Sequence, residues 1–236
     1  MLKIEKFVTA SPEQWGIIIE GMRNPMNSWG KMDSYTTYEV DTDDVSIDEV
    51  FNMGENDRSL MMNLAKNGPV HAKYRRMIPV WVTLTAPLYW WKEMDTYKVG
   101  TVANSCSTMH KIQAKEFTLE DFSCEHLGVT VPAELNDGEE VFQNLWVENL
   151  KRTIEDLNIA RDFYNREQNA DLKKKYWWQM IQLLPSSYNQ KRTVMLNYEV
   201  LHNIYESRKN HKLDEWHVFC DWISELPYSE LIIGET

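Results

Sequence analysis

Little in this 236-residue chain announces a chemistry. Its three cysteines, Cys106, Cys124 and Cys220, have no paired metal-ligand spacing and cannot all pair with one another. That excludes a disulfide framework and fits free thiols in a reducing compartment. Basic charge is scarce: 25 Lys and Arg face 36 Asp and Glu, a net charge of −11 that excludes broad binding to a polymeric nucleic-acid backbone. It leaves room for one local basic pocket that holds a single phosphate. No stretch reaches the ~18 apolar residues of a membrane span, and "MLKIEKFVTASPEQW" has no apolar signal core. The expectation is a soluble, cytoplasmic protein with no membrane partner. Glycines are few, and neither G-x-G-x-x-G nor G-x-S-x-G occurs, so a Rossmann fingerprint and a serine nucleophile elbow are both absent. Cys106 and His110 stand four apart without a second pair, so no metal is expected. Cys106, one residue from Ser107, is expected to be an ordinary buried thiol.

Aromatic residues are plentiful. Ten Trp, eleven Tyr and seven Phe predict an aromatic-rich core or interface. "MLKIEKFVTA" alternates as a strand does. "SPEQWGIIIEGM" opens a helix with Ser11 as N-cap, Pro12 at the first position and Gln14 closing a capping box. A second box at Ser46 and Glu49 predicts a short helix in "EVDTDDVSIDEVF". A third helix starts near Asp57, buries Leu60, Met61 and Leu64, and stops at Gly68-Pro69. "HAKYRRMIPVWVTLTAP" suits one or two strands with a break or edge at Pro79, and "PLYWWKEMDTYKV" carries helical spacing. Thr118 caps a short helix that Gly128 ends, and "VTVPAELNDGEE" reads as a loop. Three long helices follow, over about 139–167, 172–183 and 190–208, and a last one over about 213–226. In the first of these Leu145, Leu150, Ile154, Leu157 and Tyr164 share a side. The pattern predicts one α+β domain, 1–236, with a mixed or antiparallel sheet packed against long helices.

Two polar constellations stand out. "DTYKVGTVANSCSTMHK", residues 95–111, follows the aromatic run "APLYWW" and offers Lys98, Ser105, Ser107 and backbone amides near Gly100. Such groups can hold a phosphate, or form a solvated polar loop. In "LNYEVLHNIYESRKNHKLDEW", Asn197, Leu201, Ile204 and Arg208 form a stripe with His202 and Asn203 near its edge. That stripe is either a satisfied polar network or a pocket lining, and a cation at a helix C-terminus is favoured by the macrodipole in any case.

Together the two stretches resemble the flavin-dependent thymidylate synthases, also called thymidylate synthase complementing proteins. That family places an "AP"-like turn after a strand, then a helix ending in RHR and a downstream asparagine and serine. Here Ala86-Pro87 open the segment, Glu93 takes the glutamine or glutamate position, and Thr96-Tyr97-Lys98 stand where RHR belongs. Asn104 and Ser107 match the asparagine and serine with one inserted residue. Further on, Leu184-Pro185 are followed by Asn197, Asn203 and Arg208 at the family's offsets, and then by His211 and Glu215 after a one-residue deletion. "LMMNLAKNGPVH" is similar to a segment ending in Glu-His: His71 fits, and Val70 replaces the glutamate.

The resemblance implies a homotetramer with FAD between subunits. It implies reductive C5 methylation of dUMP, or a related pyrimidine nucleotide, with methylene-tetrahydrofolate as carbon donor and NADPH as reductant. Arg208 then serves catalysis by holding the uracil ring. His71, Asn197, Asn203 and His211 bind flavin, while Glu93, Lys98, Asn104 and Ser107 join Arg208 around the substrate. The departures are specific. Both RHR arginines are missing, Met109 or Thr108 stands where an arginine follows the serine, Ile181 or Gln182 replaces the arginine before "LP", and Glu199 replaces another. Each lost phosphate contact costs roughly 1.5–3 kcal/mol. Arg75, Arg76 and Arg192 are the candidate replacements. The alternatives are a non-catalytic nucleotide-binding or oligomeric scaffold that keeps the fold, and an unrelated helical interaction protein.

Overall fold

Capping residues and apolar spacing set most element boundaries. A computed structural model of the chain describes residues 1–41, 46–128, 131–134, 140–143 and 145–234. Strand β1 (Lys3–Val8) precedes helix α1 (Pro12–Arg23), which starts at the expected capping box. The Gln14 amide donates to Ser11 Oγ at 3.2 Å, and the Ser11 amide donates to Gln14 Oε1 at 2.9 Å. Next come β2 (Tyr35–Asp41), β3 (Ser46–Asn52), α2 (Glu55–Lys66), a 3-10 turn at Lys73–Met77, β4 (Pro79–Pro87) and α3 (Leu88–Met94). They are followed by β5 (Val102–Ser105), α4 (Thr108–Lys111), a 3-10 turn at Leu119–Asp121, β6 (Val131–Glu134) and β7 (Glu140–Gln143). The chain continues through α5 (Leu145–Arg166), α6 (Ala170–Leu183), β8 (Asn189–Asn197), α7 (Tyr198–Arg208), α8 (Asp214–Ser224) and α9 (Glu230–Ile233). One sheet has the order β1-β4-β8-β5, and β2-β3 and β6-β7 are antiparallel pairs. This is the expected α+β class.

Several expectations fail for identifiable reasons. Ser46–Asn52 is not a helix but a strand, paired with β2 from Tyr35↔Asn52 to Asp41↔Ser46. There, β-branched Ile47 and Val50, paired with Val40 and Thr37, outweigh a local cap signal. The stretch 190–208 is not one helix: Asn197 ends β8 and caps α7, because Val194 and Leu196 are buried at a period of two. Helix α3 stops at Met94 and Asp95 caps it, so the helix does not run to Lys98. Thr118 does close a capping box, with Asp121, but over a single 3-10 turn. β6 and β7 replace part of the predicted loop and the start of the 139–167 helix, each too short for its period to be counted; residues 129–130, 135–139 and 144 lie outside the described residues. Leu145 is exposed rather than on the buried side of α5.

The chain forms two compact units. The first comprises residues 1–3, 84–96 and 104–192. Its core gathers Ile112, Phe117, Phe122, Leu150, Ile154, Leu157, Ala160 and Met180 around the α5–α6 hairpin. Asn169 starts α6, its Oδ1 accepting from the amides of Asp171 (3.0 Å) and Leu172 (3.2 Å).

The second unit comprises residues 4–83, 97–103 and 193–236. Trp15 is at its centre, stacked on Phe51 (5.5 Å) and edge-on to Tyr198 and Tyr228. A buried ion pair ties α1 to α2. Arg23 Nε donates to Asp57 Oδ1, and Asp57 Oδ2 accepts from the Asp33 amide, the Ser34 amide and the Ser34 hydroxyl at 2.7–3.0 Å. Burial pushes the Asp57 carboxyl up, but the Ser34 hydroxyl, the two amides and Arg23 together outweigh it and hold the pKa below its ordinary 3.8.

Because Arg23 and Asp57 are 2% and 0% exposed, Asp57→Ala leaves a buried, unpaired guanidinium. Urea unfolding should show a loss of about 3–5 kcal/mol. The sign in pH follows from the depressed folded pKa. The pair's contribution is fully present above 3.8 and declines as pH falls below it, so acid titration should erase the difference between wild type and variant.

Candidate functional site

The site in the second unit is built from the strand-to-helix junction upward. β8 ends at Asn197, whose backbone is extended (φ −141°, ψ 169°) and whose Oδ1 accepts from the Val200 amide at 3.0 Å. The Tyr198 amide donates to the Ile78 carbonyl at 3.1 Å, which fixes where α7 begins. Gly100 lies against this cap with φ +80°, in the left-handed region. A Cβ there would sit 2.9 Å from Asn197 Nδ2 and 3.2 Å from Val200 Cγ2. The buried Asn197 amide is therefore engaged inside the fold. Thr101 Oγ1, beside it in sequence, is buried without a hydrogen-bond partner among the described residues.

At the other end of α7, Arg208 donates from Nε to the Tyr97 hydroxyl at 2.9 Å. Its guanidinium carbon is 4.8 Å from the Trp216 ring centre and 5.6 Å from that of Tyr97. Such cation–π contacts contribute roughly 0.5–1 kcal/mol each and fix the plane of the guanidinium. His211 also meets Trp216, at 6.3 Å, and its amide donates to the Arg208 carbonyl at 2.9 Å. His211 lines a cleft of about 460 Å³ with Tyr205, Lys209, His217 and Asp221. The structure thus brings Arg208 and His211 together, with Tyr97 and Trp216 as partners the sequence reading missed. Only the helical spacing of Trp216 with Phe219 on α8 pointed to its burial.

Other predicted residues of this unit are more scattered. Asn203 is exposed on α7, about 140° around the helix from Arg208 at 100° per residue, and so does not belong to the Arg208 stripe. Lys98 is exposed next to Tyr97. His71 is exposed on a turn and lines a separate apolar cleft of about 420 Å³ with Met22, Met26, Tyr74 and Met77. Glu199, where the resemblance calls for an arginine, faces Arg75 at 4.0 Å; both are mostly buried, and Arg75 Nε lacks a hydrogen-bond partner among the described residues. Arg75, on the 3-10 turn, is thus engaged by Glu199. Arg76 is exposed and reaches only the Pro69 carbonyl, at 3.4 Å. Burial pushes the neighbouring Tyr74 phenol up to about 12.

In the first unit, Asn104 is exposed on β5, and Ser107 caps α4, its Oγ accepting from the His110 amide at 3.0 Å. The polar strip is therefore an edge strand and a cap, not the end of a helix. Glu93 is half-buried on α3. Cys106 is exposed, contrary to the expectation of a buried thiol; Cys220 is the buried one, its thiol pushed up to about 11 by burial. Cys106 pairs with β8: its amide donates to the Lys191 carbonyl (2.9 Å), and its carbonyl accepts from Gln190 Nε2 (2.8 Å).

Arg192 stands beside that pairing. Its Nε donates to Gln190 Oε1 (2.9 Å), its Nη1 to Asp95 Oδ1 (2.7 Å), and its guanidinium lies 4.3 Å over the Trp91 ring. The Trp91 indole N–H in turn donates to the Gln190 carbonyl at 2.9 Å. Among the described residues no helix is long and apolar enough to cross a membrane, and no group of three His, Cys, Asp or Glu side chains could hold a metal ion.

A mixed α+β architecture with this sheet order places the chain in a definite structural class. No protein-family sequence model matches it, and no curated protein does. Solved structures do. Thymidylate synthase X from Helicobacter pylori, solved with FAD and dUMP, superposes with a TM-score of 0.59 at 13% identity, covering 99% of this chain and 96% of that one. A UMP/dUMP methylase, PolB from Streptomyces cacaoi, solved with 5-Br dUMP, gives 0.53 at 11% identity, covering 95% and 88%. The chain has the fold of the flavin-dependent thymidylate synthases, in a strongly divergent sequence.

The donor set suits a flavin in part. The exposed amide of Asn203 and the imidazole of His71 carry polar atoms that can pair with ring carbonyls and nitrogens, whereas Asn197 is engaged as a cap and His211 Nδ1 accepts from the Leu213 amide at 3.2 Å. The cap itself is testable. Gly100→Ala combines a left-handed backbone with contacts at 2.9 and 3.2 Å, and should lower stability by about 1–3 kcal/mol in thermal or urea unfolding.

Proposed function

We propose that the protein binds a pyrimidine nucleoside monophosphate and methylates it reductively at C5 of the uracil ring, with FAD as cofactor and methylene-tetrahydrofolate and NADPH as co-substrates. The observation that carries this reading is the clamped Arg208, on a fold whose solved neighbours hold FAD with dUMP, or a brominated dUMP. A guanidinium pinned by Tyr97 and Trp216 stays charged and planar, and its face and orientation are set before any ligand arrives. Laid against a uracil, it favours the deprotonated ring, and the added electron density raises the nucleophilicity of C5. A bound flavin, once reduced, supplies the electrons. On the family resemblance, His71, Asn203 and His211 are the residues proposed to hold it, with Asn197 capping the start of α7. Glu93, Lys98, Asn104 and Ser107 serve the sugar and phosphate.

A second reading, a nucleotide-binding scaffold without turnover, is favoured by one observation: Tyr97 replaces the central residue of the RHR motif and already engages Arg208 Nε. The absorption spectrum of the purified protein separates the two. The enzyme reading expects an oxidised-flavin band, on isolation or after incubation with FAD; a colourless protein that takes up none rules it out. Rescue of a thymidine-requiring bacterium tests thymidylate synthesis itself. At residue level, Arg208→Ala should abolish uridylate binding by calorimetry while leaving the far-ultraviolet circular dichroism unchanged. Arg208→Lys should restore little, because an ammonium cannot reproduce the planar fork.

A further inference from the structure

We propose that the cleft between residues 23–31 and helix α2 is a binding site for a phosphate dianion, free or carried by a small phosphomonoester. The inference goes beyond the uridylate reading and shares no residue with the Arg208 site. The cleft measures about 490 Å³, within the roughly 300–1,000 Å³ of small-molecule sites, and its polar lining is Arg23, Ser28, Lys31, Asn56, Ser59 and Asn63. Arg23 lines it although only 2% exposed. Its Nε donates to Asp57, and its Nη1 reaches the Ser28 carbonyl at 3.4 Å and hydroxyl at 3.3 Å. These two nitrogens serve the fold. Nη2, also buried, has no hydrogen-bond partner among the described residues. An unpaired buried N–H on a charged group is costly, so an orphaned donor in a cleft wall points to a ligand.

The rest of the lining selects an anion. Lys31, exposed, adds a second cation, and among the described residues no carboxylate lines the cleft, in a chain of net charge −11. Asp57 offsets the Arg23 charge, so Lys31 supplies the net attraction. Ser28 Oγ accepts from Arg23 Nη1, which leaves its hydroxyl proton to donate. On α2, Asn56, Ser59 and Asn63 fall at i, i+3 and i+7 and share one face. The Ser59 hydroxyl is 3.5 Å from Glu55 Oε1, too long a contact to hold it against an anion. Two cations, the hydroxyls and two carboxamides outnumber the two oxygens of a carboxylate and match those of a phosphate. Met26 and Leu60 complete the wall and suit the carbon skeleton of an ester.

Calorimetry of the full-length protein with ribose 5-phosphate, inorganic phosphate and ribose tests the site, because none of the three carries a pyrimidine ring. Wild type should bind ribose 5-phosphate and not ribose. Lys31→Glu, which reverses an exposed charge, should lose about tenfold or more in ribose 5-phosphate affinity, and Asn63→Ala about three- to tenfold. Arg23→Lys keeps a charge opposite Asp57 and removes Nη2, and should also lose about tenfold or more. Should Arg23→Lys fail to unfold cooperatively in urea, the two exposed variants decide the matter. Arg208→Ala should leave ribose 5-phosphate affinity within about twofold of wild type. Tighter binding of ribose 5-phosphate than of inorganic phosphate supports the site with an ester as its ligand; equal or weaker binding supports it with the free anion. Affinity that survives both Lys31→Glu and Asn63→Ala overturns the site, as does equal binding of ribose, or a wild type that binds neither phosphate compound. A loss caused by Arg208→Ala instead moves the phosphate to the Arg208 site, overturning this one and leaving the uridylate reading standing.

Discussion

The cap at Asn197 is the constraint on which the site in the second unit depends. One amide does two things there: Oδ1 accepts the Val200 N–H, and Nδ2 lies where Gly100 alone leaves room. An N-cap of this kind contributes about 1 kcal/mol. Its positional effect is larger than its energy, because it decides at which residue the period of two becomes a period of 3.6. Eleven helical residues later that phase places Arg208 against Tyr97 and Trp216. Shift the switch by one residue and Arg208 rotates about 100° away from both rings.

Positive charge follows a common rule in both units. Arg208 lies over Trp216 and Arg192 over Trp91, at 4.8 and 4.3 Å. Each donates its Nε to a neutral oxygen, from Tyr97 in one case and Gln190 in the other. Stacking on an indole fixes the guanidinium plane, and Arg192 keeps Asp95 as its carboxylate partner at 2.7 Å as well. Arg23 and Arg75 are more deeply buried, each opposite a largely buried carboxylate, Asp57 and Glu199, and serve the fold.

What was legible in the sequence was whatever depended on neighbouring residues. Ser11, Pro12 and Gln14 specify the start of α1 within four positions, whereas the Asn169 cap, ahead of the expected start of α6 near 172, was not read. The fold class and the family resemblance were legible because Leu184-Pro185, Asn197 and Arg208 keep a fixed spacing. What depended on a distant partner was not. Ser46–Asn52 carries a helix-start signal and becomes a strand only through β2. Residues 190–197 were read as the start of one helix running to 208, with Asn197, Leu201, Ile204 and Arg208 on one stripe; burial of Leu196 as well as Val194 shows two periods meeting. Trp216 and Asp95 went unnoticed because their importance lies in the arginines they touch, and no spacing in the sequence records that contact.

The same distinction applies where the sequence lacks the RHR arginines that the resemblance calls for. RHR is a local solution, three adjacent residues at a helix end that deliver charge together. Here that helix ends early, at Met94, and the residues beyond it take other duties: Asp95 orients Arg192, and Tyr97 orients Arg208. Asp95 and Tyr97 thus support cations drawn from β8 and α7, each within its own unit. A guanidinium supplied from a strand or a helix end and stiffened by its neighbours presents the same fork to an anion or a ring as one supplied by the motif.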